Sequence, residues 1–365
     1  MDWNWQLPDW PKFTFDPSEL EGMEARFLRE GGEIVGSFSH LDSDSSTQLR
    51  VELLTDEAES TSRIEGEILD RASVQSSLQK EFGMKLDHPR STSQSERGIA
   101  ELMKDCFQTH SETLTHEVLH RWHAKLMKGQ LEDNLLGKYR KSKTPMQIIS
   151  GDPFDPEIHF EAPPSSIVFS QMEEFINWFN ASQPSPVRVP LPALTRSAIA
   201  HLHFETIHPY SDGNGRIGRA ISEKALAQSL GQPTLLALSK TIEECRRDYY
   251  EALATTRYTS DWISWFGKIV LLSIEDTKER ISFLAAKTHF FDRHRGALNI
   301  RQEKALNRMF REGPKRFEGG LSAGNYISIT KTSPATARRD LNELVAIGAL
   351  QKTGEKKGTR YFLSL

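Results

Sequence analysis

The chain has 365 residues, 37% hydrophobic and 26% charged, which is too long for one compact core and ordinary for a soluble protein of two or three domains. No window approaches the roughly 18 apolar residues of a membrane span. The opening MDWNWQLPDWPKF lacks the basic and apolar runs of a secretory signal, so a cytoplasmic protein with no membrane partner is expected. Its two cysteines, Cys106 and Cys245, fit no disulfide or metal spacing, and buried thiols are expected. The formal charge of −4 is unevenly spread. Residues 299–365 carry 13 Lys and Arg against 6 Asp and Glu, a surplus of seven that leaves −11 for the remainder. A basic tail on an acidic body suggests a separate module able to meet nucleic acid.

Residues 1–95 mix aromatic-rich extended sequence with helix. The aromatics Trp3, Trp5, Trp10, Phe13 and Phe15 are expected to pack on a core. SFSHLDSDSS reads as a polar break, and the stretch from Thr47 to Phe82 as two helices. DHPRSTSQSE marks a domain boundary. From 96 to 286 the pattern is helical. In SSIVFSQMEEFINWF, Val168, Met172, Phe175, Ile176 and Phe179 recur at helical spacing. Between Gly137 and Asp155, β-type residues and turn signals predict a hairpin in this otherwise all-α region. LTRSAIAHLHFETI is helical and stops before Pro209. A helix restarts near Gly215, with Ile217, Ile221 and Leu226 on its apolar face. From 299 the order is helix to Gly313, short helix, a third helix with Ser333 as N-cap and Pro334 at N1, then a basic-tipped hairpin. That order is the winged helix-turn-helix pattern.

The chemistry concentrates in HPYSDGNGRIGR, residues 208–219. The loop ends at a helix N-terminus, where free N–H groups and a partial positive charge suit anions. Gly213 and Gly215 let backbone N–H groups turn inward. Arg216 and Arg219 stand three apart on one helix face, so two guanidiniums can hold two phosphates. Asp212 offers a hard oxygen to Mg²⁺, and His208 is the natural proton acceptor. An EF-hand frame fails, because it puts Tyr210 at position 1 and Ile221 at position 12. His201, Glu205 and His208 share a helix side, but a di-iron set needs a second copy of that pattern and none exists.

HPYSDGNGRIGR resembles the signature of Fic-domain proteins, His-Pro-Phe-x-(Asp/Glu)-Gly-Asn-Gly-Arg-x-x-Arg, departing only in Tyr210 for phenylalanine. HLHFETIH fits the family's lead-in helix. The resemblance implies transfer of AMP from ATP to a hydroxyl of a target protein. By position, His208 would take the hydroxyl proton and Asp212 would hold Mg²⁺. Gly213, Asn214 and Gly215 would form an anion hole, and Arg216 and Arg219 would grip the β- and γ-phosphates. Ile217 and Gly218 complete the nucleotide-binding run. Kinase-like relatives carry lysine where this chain has Gly215, so nucleotidyl transfer is implied. TSRIEGE, residues 61–67, is similar to the family's inhibitory helix, (Ser/Thr)-x-x-x-Glu-(Gly/Asn). Thr61, Glu65 and Gly66 match, so Glu65 would compete with the γ-phosphate for Arg219.

KTPMQI in the predicted hairpin resembles the family's flap, which would bind an extended segment of the target by β-augmentation. RRDYYEAL resembles the segment bordering adenine. Tyr249 and Tyr250 are adjacent on a helix, so one of them belongs to the core. The resemblance also implies a homodimer. In the basic tail, Arg338, Arg339, Lys356, Lys357 and Arg360 would meet DNA phosphates, or the module would serve protein contacts. Two further readings stay open: a Fic enzyme that removes AMP, and a DNA-binding regulator whose Fic core senses nucleotide without turnover.

Overall fold

In a computed structural model of the chain, the described residues are 3–41, 43–84, 90–152, 155–185, 187, 190–255, 259–311 and 319–365. Their contacts divide the chain into two units, 1–275 and 276–365. The region 1–95 thus folds in one unit with the residues that follow it. Among the described residues, no helix is long and apolar enough to cross a membrane.

The first unit is helical. α1 (Pro17–Ser39) starts at Asp16, whose side chain accepts the Ser18 N–H at 2.9 Å, with Pro17 at the first helical position. α2 (Ser43–Ile64) follows at once. The polar stretch SFSHLDSDSS is therefore a shorter break than its composition implies, because Ile34 and Phe38 keep one face of α1 buried almost to its end. α3 (Arg71–Glu81) and α4 (Gln94–Gln108) come next, the latter closed by a reciprocal Ser93–Glu96 capping box. α5 (His116–Leu126) leads to β1 (Gln147–Asp152) and β2 (Asp155–Glu161), paired antiparallel with an irregularity between Ile148 and Ile149. The hairpin lies further along the chain than the expected 137–155. Residues 137–146 form no strand, and β2 runs on to Glu161. Of KTPMQI only Gln147 and Ile148 are in β1, since proline gives no ladder donor. The N-terminal tryptophans brace this hairpin. Trp5 Nε1 donates to the Glu161 carbonyl at 2.7 Å, and Trp3 meets Phe160 edge-on at 5.6 Å.

α6 (Ser165–Ala181), α7 (Ala193–Ile207) and α8 (Asn214–Leu230) form the centre of the core. All five α6 residues predicted from their spacing are buried. α7 is buried nearly all round, as expected of a central helix. Its Arg196 is fully buried and donates to the carbonyls of Phe179 and Ala225 at 2.9 and 3.1 Å, tying α7 to α6 and α8. α9 (Leu238–Glu244), α10 (Arg246–Thr255) and α11 (Thr259–Arg293) follow, and α11 runs across the 275/276 division. Cys106 is buried, whereas Cys245 is only half-buried.

In the second unit, α12 (Ile300–Arg311), α13 (Ala323–Thr330), α14 (Pro334–Ala346), β3 (Leu350–Thr353) and β4 (Arg360–Leu363) follow in the order the sequence suggests. Ser333 caps α14 by accepting the Thr336 N–H at 3.2 Å. Gly313, the expected end of α12, lies outside the described residues. Buried Asp340 organises the unit, since it accepts from Arg301 Nε at 2.8 Å and from the Tyr326 hydroxyl at 2.9 Å.

Candidate active site at the start of α8

The chain leaves α7 through a residue with little backbone freedom. His208 adopts left-handed φ 48°, ψ 59°, a conformation that costs a non-glycine residue about 1 kcal/mol or more. Arg140 holds it there. Its Nε donates to the His208 carbonyl at 2.8 Å, its guanidinium also reaches the carbonyls of Pro163 and Ile207, and its own N–H donates to the Pro209 carbonyl. The His208 Nδ1 lies 3.3 Å from the Glu205 carbonyl. A carbonyl can only accept, so Nδ1 carries the proton and Nε2 keeps its lone pair. Burial pushes the His208 pKa down to about 4, Arg140 pushes the same way, and the Glu205 carbonyl, Glu65 and Asp212 oppose it. At neutral pH this is an uncharged imidazole.

The loop from 209 to 213 is shaped from within. Asn214 Nδ2 donates to the Tyr210 carbonyl and Asn214 Oδ1 accepts the Tyr210 N–H, both at 2.9 Å. Asn214 is expected in the anion hole. The structure engages its amide with the Tyr210 main chain, so Asn214 shapes the loop. Gly213 precedes α8 with φ 79°, and no side chain caps the helix. Tyr210 has a reason to replace phenylalanine. Its buried ring stacks on His123 at 4.1 Å, and its hydroxyl lies 3.1 Å from His120 Nδ1.

Two buried arginines follow, 3% and 1% exposed. Arg219 donates from Nε to Thr61 Oγ1 at 2.7 Å, and from its second terminal nitrogen to the Thr61 carbonyl at 3.0 Å and Glu65 Oε1 at 2.6 Å. Arg216 donates to Glu67 Oε2 at 2.7 Å. Burial pushes the Glu65 carboxyl up, but the charge and hydrogen bond of Arg219, with the charge of Arg216, outweigh it and hold it below its ordinary range. A side-chain carbon on Gly215 would overlap the Glu65 carboxylate, so only glycine lets it dock.

α2 delivers both glutamates through its ending. The Gly66 N–H donates to the Arg63 carbonyl and the Glu67 N–H to the Ser62 carbonyl, a Schellman cap with Gly66 at φ 84°. Glu65 and Glu67 flank that glycine, and both meet α8.

Asp212 stands apart, its side chain 57% exposed and one oxygen 3.5 Å from Arg216. Among the described residues, no cluster of three or more His, Cys, Asp or Glu could hold a metal. The other expected nucleotide contacts divide. Ile217 is fully buried in the core, and Gly218 faces Glu205 of α7, so both side-chain positions turn away from the loop. Tyr249 is the core member of its pair, 1% exposed, with its hydroxyl 2.8 Å from His201 Nε2 and accepting from Arg219 at 3.4 Å. Tyr250 is 39% exposed and donates to the Ile64 carbonyl at 3.1 Å.

Sequence reasoning missed Arg140 and Glu67, and weighed Glu205 only as part of a di-iron set. Burial and the charge of Glu65 push the Glu205 pKa up to about 8 against Arg219, so it is neutral beside His208 at pH 7. Only Glu67 had an accessible signal, a second carboxylate two residues beyond Glu65.

The Fic/DOC family profile matches residues 113–226, and a domain family of unknown function (DUF4172) matches 3–84. The chain is 28% identical over 131 residues to a probable protein adenylyltransferase of Aquifex aeolicus (strain VF5), covering 36% of this chain and 35% of that one. It is 29% identical over 86 residues to the protein adenylyltransferase fic-1 of Caenorhabditis elegans, covering 24% and 15%. The chain thus spans about a third or less of the length of the curated relatives it matches. A Fic family protein from Desulfovibrio desulfuricans G20 superposes with TM-score 0.54 at 21% identity, over 97% of this chain and 98% of that one. Fic-1 of C. elegans superposes with TM-score 0.51 at 20% identity, over 75% and 76%. Residues 113–226 thus match the Fic/DOC family profile, and the fold is shared with solved Fic proteins.

Proposed function

We propose that the protein is a protein adenylyltransferase that moves AMP from ATP to a Ser, Thr or Tyr hydroxyl of another protein, and that Glu65 holds it inhibited. The observation that carries this reading is Arg219, a buried guanidinium at an anion-binding helix start whose place for a phosphate is filled by Glu65. Relatives named as adenylyltransferases support the reaction class.

In the open state the first-turn N–H groups of α8, with Arg216 and Arg219, bind the triphosphate. His208 Nε2 takes the proton of the target hydroxyl while Nδ1–H stays on the Glu205 carbonyl. The hydroxyl oxygen forms a bond to the α-phosphorus, the bond from that phosphorus to the oxygen bridging to the β-phosphate breaks, and pyrophosphate leaves with the electron pair. Mg²⁺ bound at Asp212 would neutralise charge on the α- and β-phosphates. Arg140 keeps His208 aimed, so the chain contributes chiefly position and preorganised charge. Both strands of the β1–β2 hairpin are edges, and Ile148, Ile149 and Ile158 are exposed on it. That suits backbone pairing with an extended target segment.

Labelled ATP tests the reaction class in Glu65→Gly and Glu65→Gly/His208→Ala. Protein labelled from the α-phosphate alone, and only while His208 is present, is the expected result. Label from the γ-phosphate means phosphoryl transfer despite Gly215. No label from either position moves the reading to AMP removal or to a regulator that senses nucleotide.

A further inference from the structure

The turn that ends α2 presents two carboxylates to α8. Glu67 closes Arg216 as Glu65 closes Arg219. We propose that Glu67 is a separate gate on the β-phosphate position, so that the nucleotide site is shut by a two-carboxylate clasp; this rests on the nucleotide-binding reading above.

Arg216 is poorly served in the closed state. Its guanidinium is nearly fully buried, yet it makes one strong contact, to Glu67 at 2.7 Å. Its other neighbours are the Met127 thioether and an Asp212 oxygen, each at 3.5 Å, and its Nε has no partner. A buried guanidinium with an orphaned N–H is costly, and a phosphate brings more acceptor oxygens than one carboxylate. Glu67 is therefore a stand-in that a phosphate can displace with gain.

Glu67 is also braced differently from Glu65. Its second oxygen accepts from Gln130 Nε2 at 2.8 Å, and Gln130 donates as well to Ser95 Oγ at 2.8 Å. Ser95 belongs to α4, and Gln130 lies in the turn after α5. The strut thus ties Glu67 to a part of the fold that does not touch Glu65 through any hydrogen bond among those of the described residues. Freeing Glu65 alone leaves Arg216 engaged.

Calorimetric titration of AMP, ADP and ATP, with Mg²⁺, into full-length wild type, Glu67→Gln, Gln130→Ala and Glu65→Gly tests the gate. Loss of the Glu67 charge should tighten ADP and ATP about tenfold and leave AMP unchanged. Removing the strut in Gln130→Ala should move ADP in the same direction by less. Glu65→Gly should favour ATP over ADP, because it frees the γ-phosphate position. If Glu67→Gln binds ADP as wild type does while Glu65→Gly gains ATP affinity, the gate is wrong and the nucleotide site stands. If no variant binds any of the three, the nucleotide reading falls and the gate falls with it.

Discussion

His208 combines a left-handed backbone, a proton fixed on Nδ1 and a pKa pushed down to about 4 by burial. A histidine with a lowered pKa keeps its basic form as pH falls, and loses it only on passing through the lowered value. The rate of transfer by Glu65→Gly should therefore stay level from pH 8 down past the ordinary 6.5. A pH–rate profile that halves near 6.5 would mean that His208 titrates as a solvated ring. Arg140 is the second residue on which this geometry depends. Arg140→Ala removes charged donors from three buried carbonyls and should cost about 2–3 kcal/mol, read by chemical denaturation. Activity in the Glu65→Gly background should fall further than that loss explains, because His208 is no longer held. The run from His208 to Arg219 was legible because twelve consecutive residues carry it. Arg140 and Glu67 were not, since their partners lie 68 and 149 positions away and only the fold brings them together.

The ending of α2 brings a short sequence pattern, Thr61 to Gly66, onto α8. Gly66 takes a positive φ, its cap turns the chain, and the glutamates on either side face α8. An alanine there has space, since nothing lies within 4 Å of its side-chain carbon, but not the preferred backbone. Gly66→Ala should thus strain the cap by about 1 kcal/mol. Labelling by ATP should rise by a factor of about five, well short of Glu65→Gly. Unchanged labelling would show that the turn tolerates alanine. The helices of the core were readable from period and caps, as in α6, where all the expected apolar positions are buried. The hairpin was misplaced because β-type residues and turn signals from Gly137 on were taken into it, whereas the ladder begins only at Gln147 and carries an irregularity no alternation pattern shows.

Across the whole molecule, the basic stretch 299–365 lies inside the second unit, which begins earlier, at 276, inside α11, where a continuous helix leaves no compositional mark. In it, Arg338 and Arg339 are exposed on α14. If this unit meets DNA, duplex affinity of the full chain should fall steeply with salt, and Arg338→Gln/Arg339→Gln should lower the slope of log affinity against log salt by about two. Equal affinity at low and high salt would assign the unit to protein contacts.

The most direct measurement for the whole account is the initial rate of α-phosphate label transfer by wild type and Glu65→Gly, with saturating ATP and Mg²⁺ and a cell lysate as acceptor. Low transfer by wild type and a rise of at least about tenfold in the variant are expected. Equal rates would mean that the Glu65–Arg219 pair seen here does not control the site.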